Sequence, residues 1–242
     1  TAVAGGACLR APLDFVDVDA MRLVGRSDLI TADDLIGRKV GTPEGGPGEL
    51  ALQMWLYDQG VAWDEVEVVD TPPFDLPDAL TGGAVDAVIW TEPVPGQALA
   101  ACGEDACRYV DEVGASYREV SMVTVTCSWQ EAHGDDGMTR LVRAWLEARE
   151  YLRNNLDAAA AITADRLRLT PAEVASRWQQ RGWLEAWAAN LDDSQLAMLE
   201  AYGSYLVEAG RLAAAPEVCS WVSSAWLRQV APDLVTLSEY DC

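Results

Sequence analysis

The sequence predicts an α/β protein, with a βαβ-rich middle and a mainly helical C-terminal third. Three observations carry this. Short strand segments at 39–41, 66–69 and 85–90 recur at βαβ spacing. A Gly/Pro-rich loop, Thr42-Pro43-Glu44-Gly45-Gly46-Pro47-Gly48, separates the first run from a helical pattern at 49–59. From residue 136 onward the apolar period is helical to the end of the chain.

Local signals place the elements in order. Thr31 with Asp34 caps a short helix that feeds the strand at 39–41. Residues 76–80 form a short helix between the second and third strands. The third strand ends in Trp90-Thr91-Glu92-Pro93, and further strands are expected at 108–113 and 120–126. Asn154-Asn155-Leu156-Asp157 is a turn between two helices. Thr170-Pro171-Ala172-Glu173 is a capping box with proline at the first helical position. Asp192 with Gln195 opens a last long helix, which Gly210 ends.

Composition narrows the class. A chain of 242 residues, half of them apolar, is long enough to bury a sizeable core as one large or two modest domains. The 17 basic and 39 acidic residues leave a net charge of −22. A field of that sign repels phosphate backbones and anionic membrane surfaces, which argues against nucleic acid as a partner, and a solvated acidic surface accounts for it. No stretch reaches the ~18–20 apolar residues of a membrane span.

Catalysis has few carriers. The single histidine, His133, lies in the polar stretch Ala132-His133-Gly134-Asp135-Asp136-Gly137 with no nucleophile elbow beside it. A solvated loop position suits it. Lys39 is the single lysine, and its place at the head of a strand suits a structural role. The glycine-rich loop lacks the pattern of a nucleotide-phosphate site. The six cysteines form no CxxC pair, which leaves a metal centre without support. We therefore expect no enzyme activity, no cofactor and no metal. Cys102 and Cys107 flank a short turn that they can close, and Cys219 with Cys242 can tie down the terminal segment. An even cysteine set points to disulfides in an oxidising compartment, although the residues alone leave the connectivity open.

What remains is a pocket. In open parallel sheets ligands sit beyond the carboxyl ends of the strands, and a loop preceding a helix adds free backbone N–H groups. The ligand-binding residues expected here are Thr42, Glu44, Gly45 and Gly46 from the first loop, with Trp90, Thr91 and Glu92 from the end of the third strand. The hydroxyls and amides serve polar atoms, and Trp90 serves a planar or apolar part. Each acid has a plainer role open to it: Glu44 as a helix-start acid and Glu92 as a capping carboxylate. Trp90 is equally suited to stacking and to core packing. Among the ten tryptophans, Trp145, Trp178, Trp183, Trp187, Trp221 and Trp226 are expected in the helical core. Two carboxylates disfavour a strongly anionic ligand, so a neutral or cationic nitrogen-containing compound, such as a pyrimidine or an amine, is expected.

The run Asp34-Leu35-x-Gly37-x-Lys39-Val40-Gly41, the pair Gly45-Gly46, then Leu80-x-x-Gly83-x-Val85-Asp86-Ala87 and Glu92-Pro93 resemble periplasmic solute-binding proteins of ABC importers. The branch is the one for sulfonates, taurine, nitrate and thiamine-pyrimidine precursors, and the likeness continues loosely through 141–161, in Leu141-Val142-Arg143-Ala144-Trp145 and Asn154-x-x-Asp157-Ala158-Ala159. The resemblance implies a type II periplasmic-binding-protein-like fold of two lobes, here with the first lobe incomplete. Residues 1–29 would be the remnant of lobe one and the first hinge strand, 30–117 the ligand-binding lobe two, 118–135 the return hinge strand, and 136–242 helices packing on lobe one. That topology brings Cys8 beside Cys127 as a third disulfide. It implies a small-molecule ligand, an ABC permease as membrane partner, and a further chain or segment completing lobe one. It also implies a periplasmic or extracellular location, with room for a lipid anchor on a segment outside this sequence. The alternative is a scaffold or interaction subunit built on a reduced binding-protein fold. A related pyrimidine synthase is an enzyme, but its cysteine-rich motif and histidine have no counterpart here.

Overall fold

The computed structural model describes residues 2–18, 21–111, 113, 116–167, 170–179 and 189–242. The chain divides into two compact units, residues 19–119 and residues 1–18 with 120–242.

The unit of residues 19–119 is built on a five-stranded sheet. In chain order its strands are β2 (Met21–Arg26), β3 (Lys39–Thr42), β4 (Glu67–Asp70), β5 (Ala87–Thr91) and β6 (Cys107–Asp111), lying side by side as β4-β3-β5-β2-β6. β3 runs parallel to β4 and β5, with Thr42 opposite Asp70, whereas β2 is antiparallel to both β5 and β6. The resemblance implies a hinge strand within residues 1–29. Residues Met21–Arg26 form an internal strand of this sheet, with Leu23 and Val24 fully buried. Helices α1 (Pro47–Asp58), α2 (Leu76–Thr81) and α3 (Val94–Cys102) fill the connections. Val24, Leu76, Leu80, Val85, Val88, Val94 and Ala98 pack into one cluster on the sheet. The cap at Thr31 is present: the Asp34 carboxylate accepts from the Ile30 and Thr31 amides, both at 2.9 Å, ahead of a 3-10 turn at Ala32–Leu35.

The second unit pairs β1 (Leu9–Val18) with β7 (Glu119–Thr126) in a two-stranded sheet, and helices make up most of the rest. The first is α4 (Cys127–Asn154), broken at Gly134, whose φ of 62° is left-handed backbone that suits glycine. Helical structure thus begins at Cys127 rather than at 136, because the Thr126 hydroxyl caps the Trp129 amide at 3.2 Å. Helices α5 (Leu156–Leu167), α6 (Pro171–Gln179), α7 (Asp193–Glu208) and α8 (Ala225–Val230) follow. The Thr170–Glu173 and Asp192–Gln195 boxes cap α6 and α7 as their spacing predicts. A short parallel pair, β8 (Leu191–Asp192) and β9 (Val235–Thr236), holds the C-terminal segment. The core gathers Ala11, Leu13, Met138, Val142, Leu191, Leu196, Val222 and Leu227, with Trp145, Trp221 and Trp226 packed into or against it. Trp178 packs against Ala160, Ala164 and Val174, while Trp183 and Trp187 lie outside the described residues.

The cysteines pair as Cys8–Cys127, Cys102–Cys107 and Cys219–Cys242, with Cα separations of 5.4, 5.8 and 4.8 Å. Among the described helices none is long and apolar enough to cross a membrane.

Candidate functional site

The carboxyl ends of β3 and β5 are neighbours in the sheet, so the chain geometry alone brings the first loop and the end of the third predicted strand together. Only four loop residues separate β3 from helix α1, whose first turn is pressed onto both strand ends. A Cβ built on Gly48 would stand 2.4 Å from Thr42 Oγ1, 3.0 Å from the Ile89 carbonyl oxygen and 3.0 Å from Trp90 Cε3. One on Gly46 would stand 3.0 Å from the Pro43 carbonyl oxygen and 3.5 Å from Trp90 Cζ3. The two glycines let the backbone lie against the half-buried indole. Thr42, Gly46 and Trp90 therefore form one wall.

Thr42 is fully buried, and its hydroxyl has no hydrogen-bond partner. A buried hydroxyl left unpaired costs about 1–3 kcal/mol, so it marks a group awaiting a partner. It points at the first turn of α1, where the leading N–H groups of a helix have no intrahelical acceptor. Gln53, on the same helix, is also buried with neither amide atom bonded.

The loop amides are differently disposed. The Glu44 amide donates to Asp70 Oδ1 at 2.9 Å, and the Gly45 amide donates to Glu49 Oε2 at 2.5 Å. Gly45 has φ of 69°, which turns its N–H back toward the helix. Glu44 itself is exposed. Thr91 is half-buried at the end of β5, paired with Met21. Glu92 takes the plainer of its two roles. Its Oε2 accepts from the Gly96 amide in the first turn of α3 at 3.2 Å, and its Oε1 accepts from the Tyr109 hydroxyl at 2.7 Å.

Four residues of this neighbourhood escape a sequence reading. Arg22 stands opposite Trp90 in the β2–β5 register, so both side chains leave the same face, and its guanidinium donates to the Met21 carbonyl at 2.7 Å. Nothing in the sequence shows β2 inserted beside β5. Glu49 and Asp70 carry a usable signal: an acid four residues after a loop glycine, and an acid closing the strand beside the loop. Gln53 carries none beyond its spacing from Glu49.

The groups weighed for catalysis have structural partners. Lys39 Nζ pairs with Glu67 across β3–β4 at 3.3 Å. His133 lies in the helical turn before Gly134 rather than in a loop, its ring stacked on Trp129 at a centroid distance of 4.3 Å and its Nδ1 2.8 Å from the Trp129 carbonyl. Among the described residues no group of three or more metal-binding side chains occurs.

The chain is similar to known proteins in sequence and in fold. The chain is 26% identical over 170 residues to a candidate binding protein of Brucella abortus (strain 2308), a match covering 64% of this chain. The chain spans about half the length of the curated relatives it matches, 51% for that protein. Its fold is similar to that of the periplasmic aliphatic sulphonate binding protein SsuA from Escherichia coli: TM-score 0.71, 18% identity, 94% of this chain and 76% of that one. It is similar also to the periplasmic nitrate-binding protein NrtA from Synechocystis PCC 6803, with TM-score 0.67, 14% identity, and coverage of 94% and 68%. The desulfurization enzyme DszB shares the fold as well, with TM-score 0.68, 18% identity, and coverage of 93% and 79%. The NMT1/THI5-like family model matches residues 21–159, which is more than half of the sequence and includes the whole Thr42–Trp90 wall, and the chain belongs to that family.

Proposed function

We propose that the protein binds a small solute outside the cytoplasm and delivers it to an ABC-type membrane permease. The observation that carries this reading is the buried, unpartnered Thr42 hydroxyl at the start of α1, set beside the glycine-shaped face of Trp90. The family and the binding proteins that share the fold support it. The three disulfides support an oxidising compartment. Because an enzyme shares the fold, the case for binding without catalysis rests on the residues. His133 and Lys39, the groups the sequence offers for catalysis, are engaged in local contacts.

The ligand we propose is a neutral or cationic nitrogen-containing compound, with its planar part on Trp90 and its polar edge at Thr42 and Gly46. Calorimetry of the whole chain against a panel of sulfonates, nitrate, pyrimidines and amines tests this. We expect a nitrogen compound to bind and Trp90→Ala to weaken it about tenfold, the order of one aromatic contact. Tight binding of taurine, or affinity indifferent to Trp90, defeats the reading.

A further inference from the structure

We infer that Glu49 is a resident anion: its carboxylate occupies the place that an anionic ligand group would take at the start of α1, and so sets the charge preference of the first-loop subsite. This rests on the binding role proposed above and names the residue that decides its ligand class.

A glycine-rich loop running into a helix is a ready anion receptor, since its amides converge and the helix dipole adds positive potential. Helix α1 has 12 residues, enough for a full dipole end. Here two of the amides are already claimed from within the chain, Gly45 by Glu49 Oε2 and Glu44 by Asp70 Oδ1. Both acceptors are carboxylates, the chemistry an incoming sulfonate or carboxylate would offer. An acid at this helical position that reaches back to a loop amide is normally solvated. Glu49 is only 5% exposed. A buried carboxylate is costly unless hydrogen-bonded, so Glu49 holds its amide firmly.

The second observation is Thr42. Its hydroxyl is fully buried, without a partner, and aimed into the same first turn, 2.4 Å from where a Gly48 Cβ would stand. The subsite thus retains one uncommitted neutral group that can donate and accept, next to amides already answered by negative charge. Gln53, one turn beyond Glu49, adds a second buried neutral group with donor and acceptor both open. An anion entering here meets a carboxylate, with the Glu44, Gly45 and Gly46 amides already bonded within the chain. A neutral or cationic nitrogen group meets a hydroxyl and a negative field, to which the net charge of −22 adds.

The test uses the whole chain, labelled with nitrogen-15, and two probes, methanesulfonate and aminopyrimidine. In the wild type, methanesulfonate should leave the Glu44 and Gly45 amide resonances unmoved. In Glu49→Gln it should shift them saturably, with affinity at least about tenfold above the wild type, as expected for charge-assisted bonds to a freed donor. Aminopyrimidine affinity should fall in the same variant. Saturable movement of the wild-type Gly45 amide by methanesulfonate overturns the inference. So does a folded Glu49→Gln that gains no methanesulfonate affinity, which reduces Glu49 to a helix cap. If Glu49→Gln does not fold, the wild-type titration together with Asp70→Asn, read at the Glu44 amide, decides the matter in the same two directions. If the wild type binds neither probe while Glu49→Gln gains methanesulfonate, the resident anion stands and the proposed natural ligand falls.

Discussion

Gly48→Ala should destabilise the protein although alanine is ordinarily the better helix residue. In an unhindered helix the change gains about 1 kcal/mol. At Gly48 the new methyl would stand 2.4 Å from Thr42 Oγ1 and 3.0 Å from both the Ile89 carbonyl oxygen and Trp90 Cε3. Thr42 is a short, fully buried side chain and Ile89 offers backbone, so neither can swing aside. Overpacking at such a site costs about 1–3 kcal/mol, and three simultaneous contacts put it at the upper end. Set against the propensity gain, the net loss is about 2 kcal/mol, or a fall in melting temperature of about 4–8 °C for a chain of this size. Thermal unfolding followed by circular dichroism reads this directly. Thr42→Ala placed in the Gly48→Ala background should recover only part of the loss, because the Ile89 carbonyl remains. A Gly48→Ala protein as stable as the wild type would refute the claim that α1 is pressed onto the strand ends, and with it the single wall of Thr42, Gly46 and Trp90.

Thr42→Val keeps the shape and removes the unpaired hydroxyl, so it should raise stability by about 1 kcal/mol while weakening ligand binding several-fold; loss of stability in calorimetric melts would mean that the hydroxyl has a partner within the protein. Replacing the cysteine pairs by serine should cost about 5, 3 and 2 kcal/mol for Cys8–Cys127, Cys219–Cys242 and Cys102–Cys107 on the chain-entropy scale, following their sequence separations of 119, 23 and 5. A denaturant series with a different order would show that loop closure does not govern their contributions. Hydrogen bonds from the Ser238 hydroxyl and the Glu239 amide hold the Asp193 carboxyl below its ordinary value of 3.8. A depressed carboxyl stabilises the fold above its unfolded value and stops doing so as pH falls through its folded value. Amide-exchange protection at Ser238 and Glu239 should therefore fall in acid below pH 3.8, and an Asp193→Asn protein should lack that pH dependence. At the other end, the Tyr240 hydroxyl donates to Glu200 and its pKa is pushed up to about 12 by that bond, then by burial and the Glu200 charge. The contact contributes fully below the ordinary tyrosine value of 10.0 and is lost as pH rises through about 12, which phenolate absorbance will follow; ionisation at the ordinary value would rule the bond out.

The parts of the fold that the sequence reveals are those fixed by neighbours along the chain. The strands carry β-branched residues of their own, Val40 and Thr42 in β3, Val68 and Val69 in β4, Val88 and Ile89 in β5, and the helix starts at Thr170 and Asp192 carry their own caps, so each is specified locally. Strand β2 is specified by its partners instead. Met21–Arg26 owes its place to β5 on one side and β6 on the other, and such non-local antiparallel insertion leaves no periodic trace. The start of α4 is hidden for another reason. Gly134-Asp135-Asp136-Gly137 does mark a break, but the hydroxyl of Thr126 has already opened a helix one turn and more before it. Residues of the site follow the same division. That Thr42, Gly46 and Trp90 meet follows from the rule that loops at the carboxyl ends of parallel strands converge. Which carboxylate answers which amide does not, because it depends on the curl of the chain at Gly45.

Glu92 shows how this division bears on ligand charge. The sequence leaves it two roles, and choosing the ligand role makes it, with Glu44, the reason to expect a nitrogen compound. The structure commits its two oxygens to Gly96 and Tyr109, so it completes α3 and braces β6. Glu44 is exposed and contributes its backbone amide to Asp70. Hydrogen bonding leaves Glu92 charged, so both named acids still add negative potential, but neither gives the first loop its local negative character. That character comes from Glu49 and Asp70, two residues within reach of the same loop, and it acts by removing amide donors as much as by adding charge. The expectation of a neutral or cationic ligand consequently stands on a different physical footing. Its dependence on Glu49 rather than on Glu92 is what separates a site that repels anions at long range from one whose anion receptor is already filled.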